Sequence, residues 1–275
     1  MAISIGKAWD ESRDILTRDG KLILTIGAAM LMLPTALVAL VSPQAVGAEP
    51  PAPGFMGTAV QILSFLLTQT GVLALIALAL RPNLSVGESI RAGLSRLLPT
   101  LAAFLLYILP MVFLLGIIFG ATVGGDTPEA MLANLRSAGG GASLAILLWA
   151  VAFVYLGVRF LLANAVALAE SANPITILKR SWQLSRGAFF KLFLFMLLWG
   201  ILLLTAQMAT AAVTGVLVGL TLGAPEPFSV AALLTGLIAG AVNMMVVIVY
   251  ALMVARIYAQ RVTIDSVPNV EDVFR

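Results

Sequence analysis

Six long apolar runs dominate this chain and leave little room for anything but helices that cross a membrane. They fall at Lys21 to Val41, Met56 to Leu80, Leu97 to Val123, Ser143 to Ala169, Ala188 to Leu222 and Phe228 to Tyr258. Each reaches the ~20 residues a helix needs to cross a hydrocarbon core of ~30 Å. The fifth exceeds that need, so it is expected to start along the interface, bend or protrude. With 61% hydrophobic and 11% charged residues, the chain fits no soluble domain, in which about a quarter of residues are charged. A lipid environment admits only helices or closed barrels, because every backbone polar group must be satisfied internally. The expected fold is therefore all-α, a polytopic bundle of six transmembrane helices forming a single membrane domain over residues 1–275.

The segments between runs one and two, SPQAVGAEPPAPGF, and between three and four, GGDTPEAMLANLRSAGGGA, are rich in Gly and Pro and read as loops. Val46 and Ala48 resemble a signal cleavage site. The basic and apolar regions before them are longer than a secretory signal, so the first run is read as a span.

Basic residues alternate strictly from side to side. Lys7, Arg13, Arg18 and Lys21 precede span one, and Arg81, Arg91 and Arg96 separate spans two and three. Lys179, Arg180, Arg186 and Lys191 separate spans four and five, and Arg256, Arg261 and Arg275 end the chain. Only Arg136, on the opposite side, and Arg159, inside span four, break the pattern. Basic residues in short loops stay on the cytoplasmic side, so both termini are expected there. The resulting basic belt is expected to meet anionic membrane lipids, at ~1 kcal/mol per well-placed cation. Nucleic acid is not an expected partner, because no basic and aromatic module accompanies the charge.

The same segments carry a repeat. Leu16-Thr17-Arg18, Leu94-Ser95-Arg96 and Leu184-Ser185-Arg186 each close an amphipathic stretch and introduce a span. This divides the chain into three hairpin units, about 1–80, 81–169 and 170–258, each preceded by a cytoplasmic amphipathic helix, with 259–275 as a cytoplasmic tail. Pro34, Pro110 and Gly200 fall near the middle of the outgoing spans, which favours a kink in each. Ser85 with Glu88 forms a capping box, followed by the stripe Val86, Ile90, Leu94 and Leu97. Asn173 with Pro174 starts the third helix, with Ile175, Leu178, Trp182 and Phe189 as its apolar stripe.

Chemistry is constrained by what the chain lacks. It contains no histidine and no cysteine, which removes the commonest general base, the commonest metal ligand and the thiol nucleophile. No catalytic, cofactor-binding or metal-binding residue is expected, and no cofactor. Asp126 and Glu129 are clustered acids in a loop, where such groups are ordinarily solvated.

The most polar interruption of the apolar pattern runs from Glu170 to Gly187, ESANPITILKRSWQLSRG. Arg159-Phe160, Glu170, Asn173-Pro174, Arg180-Ser181-Trp182, Leu184 and Arg186-Gly187 resemble the signature of the bacterial glycerophosphoryl diester phosphodiesterase membrane domain family. The resemblance implies a six-span protein of the bacterial inner membrane. In some members this membrane region is fused to a soluble catalytic domain that uses paired histidines and metal-binding carboxylates. That domain is not present here, so phosphodiesterase activity is not expected.

Arg159, Glu170, Pro174, Arg180, Ser181, Trp182 and Arg186 are accordingly the structural or partner-binding candidates. A charge within the membrane costs several kcal/mol unless it is paired or wetted. Glu170 is expected to hold Arg180 or Arg186, and Arg159 to bond carbonyls or amides of neighbouring spans. Gln61, Gln207 and Asn243 are the candidates for lining a cavity. Gln61, Ser64 and Thr68, and Gln207, Thr210 and Thr214, share helical spacing. Gly116 with Gly120, Gly215 with Gly219 and Gly236 with Gly240 suit close helix approach. The expected function is a non-catalytic membrane module that binds lipid or a protein partner; the alternative is a transporter or exporter of an amphipathic or small solute through the repeat interface.

Overall fold

The structure, a computed structural model, describes residues 3–43, 54–122, 140–170 and 172–265. Asp126, Glu129, Arg136, Arg275, and Val46 with Ala48, lie outside the described residues. Every regular element among the described residues is helical. Helix α1 spans Ile5–Gly27 and leads through a π-helical turn, Ala28–Met32, into α2, Leu33–Val41. There follow α3 (Phe55–Leu80), α4 (Val86–Thr122), α5 (Gly140–Arg159), α6 (Ala163–Ala169), α7 (Pro174–Ser185), α8 (Phe189–Leu222) and α9 (Val230–Asp265). Six helical stretches are long and apolar enough to cross a membrane: Ile5–Val41, Phe55–Leu80, Val86–Gly120, Ser143–Ala169, Phe189–Leu222 and Val230–Ile264. The chain is an all-α, multi-pass membrane bundle.

Local chemistry sets the helix ends. Ser85 and Glu88 close a reciprocal box: the Glu88 amide donates to Ser85 Oγ at 3.3 Å, and the Ser85 amide to Glu88 Oε2 at 2.8 Å. Asn173 Oδ1 accepts from the amides of Ile175 and Thr176, and Pro174 occupies the first turn of α7, where no N–H is needed. Gly187, at φ +74°, takes the left-handed conformation that lets the chain turn from α7 into α8.

α3 is the hub. Of its most apolar stretch, 61% is buried, against 6% for α4 and 11% for α8. α3 packs on α2, α4, α6 and α9, while α9 also covers α1, α2 and α8. α4, α5 and α8 form the outer wall, presenting residues such as Phe113, Leu148, Leu204 and Leu220 outward. In a bilayer that surface faces lipid tails, so exposure of large side chains is what packing requires.

The closest helix approaches gather around α2 and the π turn. A Cβ on Gly240 would lie 2.7 Å from the Met32 carbonyl oxygen, and one on Gly236 would lie 2.7 Å from Ala39 Cβ. The Gly236 and Gly240 pair thus packs as its spacing suggests. Gly116, Gly120 and Gly219 meet open space instead, and Gly215 is exposed. They sit on the outer helices α4 and α8, whose flanks have no facing helix.

Several sequence expectations change. Span four is broken: α5 ends at Arg159 and α6 begins at Ala163. Gly200 introduces no interruption, since α8 runs unbroken from Phe189 to Leu222, and α4 continues as one helix through Pro99 and Pro110. At ~1.5 Å per residue α8 is about 51 Å long, so the fifth span outreaches the hydrocarbon core rather than starting along its surface. The last span does not end at Tyr258; α9 continues to Asp265, because its polar end packs against other elements. Of the three amphipathic segments only α7 is a separate helix. The first runs into its span with one non-helical residue, Asp19, at φ −109° and ψ 15°, and the second is simply the start of α4.

Their buried faces also differ from the expected stripes. α7 buries Ile177, Ser181, Leu184 and Ser185 while Ile175 is exposed; α4 buries Ser89, Gly93 and Leu97 while Leu94 is exposed. Small residues permit the close approach of these segments to the bundle, and that contact outweighs burial of a larger apolar side chain. All three segments, with Ser12, Gly93 and Ser181, place a small residue at the centre of the buried row.

Candidate functional site

Both described ends lie on one face, called the terminal face below. Lys191 Nζ donates to the Ile3 carbonyl at 2.7 Å, and the Ser4 amide donates to Gln260 Oε1 at 3.2 Å. The opposite, loop face holds the end of α2, where the Phe228 amide donates to the Leu40 carbonyl at 2.8 Å.

The break between α5 and α6 builds the terminal-face corner. It leaves α5 carbonyls without helical partners, and Ser181 Oγ donates to that of Arg159 at 2.9 Å. Arg159 occupies the last turn of α5, where a cation complements the helix dipole. Its side chain does not find the carbonyls or amides expected for it. Nε and Nη2 donate to Tyr155 Oη at 3.1 and 2.9 Å, and Nη1 donates to Ser185 Oγ at 3.4 Å. The guanidinium lies 5.1, 4.8 and 5.4 Å from the ring centroids of Tyr155, Trp182 and Phe189. Because the helix stops at Arg159, its neighbours are the aromatic and hydroxyl side chains of the corner. Trp182 extends this ring cluster to Phe160, 6.0 Å away between centroids, and Phe160 extends it to Tyr107 at 5.2 Å.

Glu170 closes α6 and ties three helices together. Its Oε2 accepts from Arg180 Nε at 2.9 Å, and its Oε1 accepts from Tyr258 Oη at 2.7 Å. Arg186 is not its partner: that side chain is exposed, and the Arg186 carbonyl accepts from Arg261 Nη2 at 2.8 Å. Arg261 Nε also caps α7 by donating to the Leu184 carbonyl at 2.7 Å. Arg81 donates to the Leu168 carbonyl at 3.3 Å, and Arg256 meets Glu11 at 2.7 Å. The basic belt therefore has two populations. Arg81, Arg159, Arg180, Lys191, Arg256 and Arg261 bond within the molecule, whereas Arg13, Lys21, Arg91, Lys179 and Arg186 are exposed on the terminal side.

Two of the cavities among the described residues lie between the spans. The inner one, about 400 Å³, is lined by α3, α4, α7, α8, α9 and the α5–α6 break. Its walls are largely apolar, including Phe104, Phe160, Leu178 and Met196, with the polar groups Gln69, Thr100, Tyr107, Asn164 and Tyr250 set among them. Neither the Gln69 nor the Asn164 amide has a hydrogen bond among the described residues. The outer one, about 450 Å³, is a groove between α2, α3 and α9, lined by Thr35, Ser42, Gln61, Ser64, Thr68 and Thr235 among others. Of the three residues expected to line a cavity, Gln61 lines the outer one and the other two line neither of this pair. Gln207 is exposed on α8, and Asn243 is half-buried on α9 outside both linings. Thr210 and Thr214, beside Gln207, bond their own helix at Ala206 O and Thr210 O. Gln69 shares a polar stretch with Thr68, a signal open to sequence reasoning; Tyr107 and Tyr250 carry none.

A helical membrane bundle with an aromatic-caged arginine at its corner, and with a cavity and a groove between its spans, is the class of protein this fold defines. The chain belongs to a family described as a domain of unknown function, DUF7847, which matches residues 3–261. No curated protein and no solved structure matches it.

Proposed function

We propose that this protein is a non-catalytic membrane module that holds an amphipathic lipid-like molecule in the inner cavity. The observation that carries this reading is the cavity itself: apolar walls of about 400 Å³ with two side-chain amides, Gln69 and Asn164, left for a polar head. Such a mixture of a greasy enclosure and a few convergent polar groups is the ordinary form of a small-molecule site. The sequence offers no histidine or cysteine for catalysis, which supports a binding role. The exposed cations Arg13, Lys21, Arg91, Lys179 and Arg186 suit the headgroups of an anionic leaflet or an acidic protein partner, and support a cytoplasmic terminal face. The likeness of the Glu170 to Gly187 corner to the glycerophosphoryl diester phosphodiesterase membrane domain supports a home in the bacterial inner membrane. The triplets Leu16-Thr17-Arg18, Leu94-Ser95-Arg96 and Leu184-Ser185-Arg186, each ahead of a span, support a threefold hairpin repeat.

The test is extraction in native lipid discs followed by mass spectrometry of what remains bound after detergent exchange. One lipid class is expected to be enriched over the bulk membrane, and to be lost in the double variant Gln69→Leu, Asn164→Leu. Bound lipid of bulk composition, unchanged by that double substitution, would refute the reading.

A further inference from the structure

The polar groups that line the two cavities follow one another along α3. The groove runs from Ser42, at the loop end of α2, past Gln61 to Thr68. The inner cavity begins at the very next residue, Gln69, and continues past Asn164 to Leu178 on the corner helix α7. A rise of ~1.5 Å per residue places Gln61 and Gln69 about 12 Å apart along α3, so the cavities are stacked rather than side by side. Their linings are consecutive on α3 at Thr68 and Gln69, the outer one starting near the loop face and the inner one touching α7 of the terminal-face corner.

The helix that meets α3 two residues further on is irregular. The π turn Ala28–Met32 packs at Gly71, where an added Cβ would lie 2.7 Å from Met30 Cβ. Pro34 follows at once, with no N–H to continue the helical ladder. π turns inside α-helices concentrate at functional sites, and they loosen a helix where it must change shape. No ionised side chain lines either cavity. Carrying a charge past such walls would cost several kcal/mol, whereas hydroxyls and amides can relay a neutral hydrogen-bonding head.

We propose that the two cavities are halves of one route across the membrane for an amphipathic solute with an uncharged, hydrogen-bonding head. The route is closed between Thr68 and Gln69 in this structure and opens as the π turn moves against Gly71. This rests on the inner cavity being a ligand site.

The chain contains no cysteine, so single cysteines report their positions without background. In sealed vesicles, a membrane-impermeant maleimide is offered to each face in turn. Gln61→Cys is expected to react from the loop face and Asn164→Cys from the terminal face. Thr68→Cys and Gln69→Cys, at the junction, are expected to react from both. Labelling of the junction cysteines from one face only, or not at all, overturns the route. Should either fail to give a monodisperse protein, Phe65→Cys and Val72→Cys line the groove and the cavity beside the same junction and read it equally. A lipid that still copurifies with a protein labelled from one side only would keep the ligand site and remove the route.

Discussion

Glu170 is the residue on which the corner turns, because each carboxylate oxygen holds a different helix. Arg180 anchors α7 at 2.9 Å and Tyr258 anchors α9 at 2.7 Å. Both partners are partly shielded, so the bonds count for more than a surface ion pair, though less than a fully buried one. Glu170→Gln keeps the shape and removes the charge, and is expected to lower stability by about 1–2 kcal/mol, read as a fall in the thermal midpoint in detergent. Tyr258→Phe should cost about 1 kcal/mol alone and less in the Glu170→Gln background, where the neutral amide oxygen is a weaker acceptor for the phenol. Full additivity of the two would show that the bonds are not shared. Glu170, Arg180 and Arg159 stand out in the sequence because polar groups in an apolar chain must find partners. Tyr258 and Arg261 do not stand out, since their partners lie 88 and 77 residues away and are brought near only by the packing of α9. The aromatic cage of Arg159 was equally illegible: Tyr155, Trp182 and Phe189 are ordinary interfacial residues until the helix stops beside them.

At the level of elements, apolar length made the six spans legible, whereas glycine spacing did not separate packed faces from lipid-facing ones. Gly116 and Gly240 carry the same pattern, yet one meets open space and the other the Met32 carbonyl. Gly240→Ala is therefore expected to destabilise by about 1–3 kcal/mol, since the added methyl has backbone to displace. Gly116→Ala should be neutral or stabilising by up to about 1 kcal/mol, from helix propensity alone. Paired thermal melts decide this, and equal effects at both positions would contradict the placement of α9 on α2. The break after Arg159 had no warning in the sequence, for Arg-Phe-Leu-Leu contains neither glycine nor proline. It exists because tertiary partners satisfy what the helix gives up: Ser181 takes the Arg159 carbonyl, and Leu162, Ala165, Val166 and Ala167 are fully buried in a stretch that packs on α3 and α4. Conversely, the breaker expected at Gly200 has no effect, because a glycine with open space around it gives the helix no reason to bend.

For the molecule as a whole, most of the side-chain bonds that join one element to another among the described residues lie at the terminal face. Arg261 caps α7, Lys191 holds the backbone at Ile3, Arg256 meets Glu11, and Arg81 reaches the end of α6. These bonds link both described ends to the corner, so the two ends share a side whatever the direction of insertion. Direction is then set by charge. Thirteen of the fourteen basic residues among the described ones belong to the segments of that face, and moving them across the bilayer would oppose both the positive-inside bias and the membrane potential, at about 2.3 kcal/mol per charge per 100 mV. On the proposed orientation, a fluorescent protein that matures only in the cytoplasm, fused after Arg275, is expected to glow. A phosphatase active only after export should be active when inserted between α2 and α3 and inactive between α3 and α4. Replacing Arg13, Lys21, Arg91, Lys179 and Arg186 together by Gln, which spares the internally bonded cations, should shift part of the population to the opposite topology. An exported C-terminus in the unmodified chain would invert the assignment, and with it the face at which the inner cavity opens.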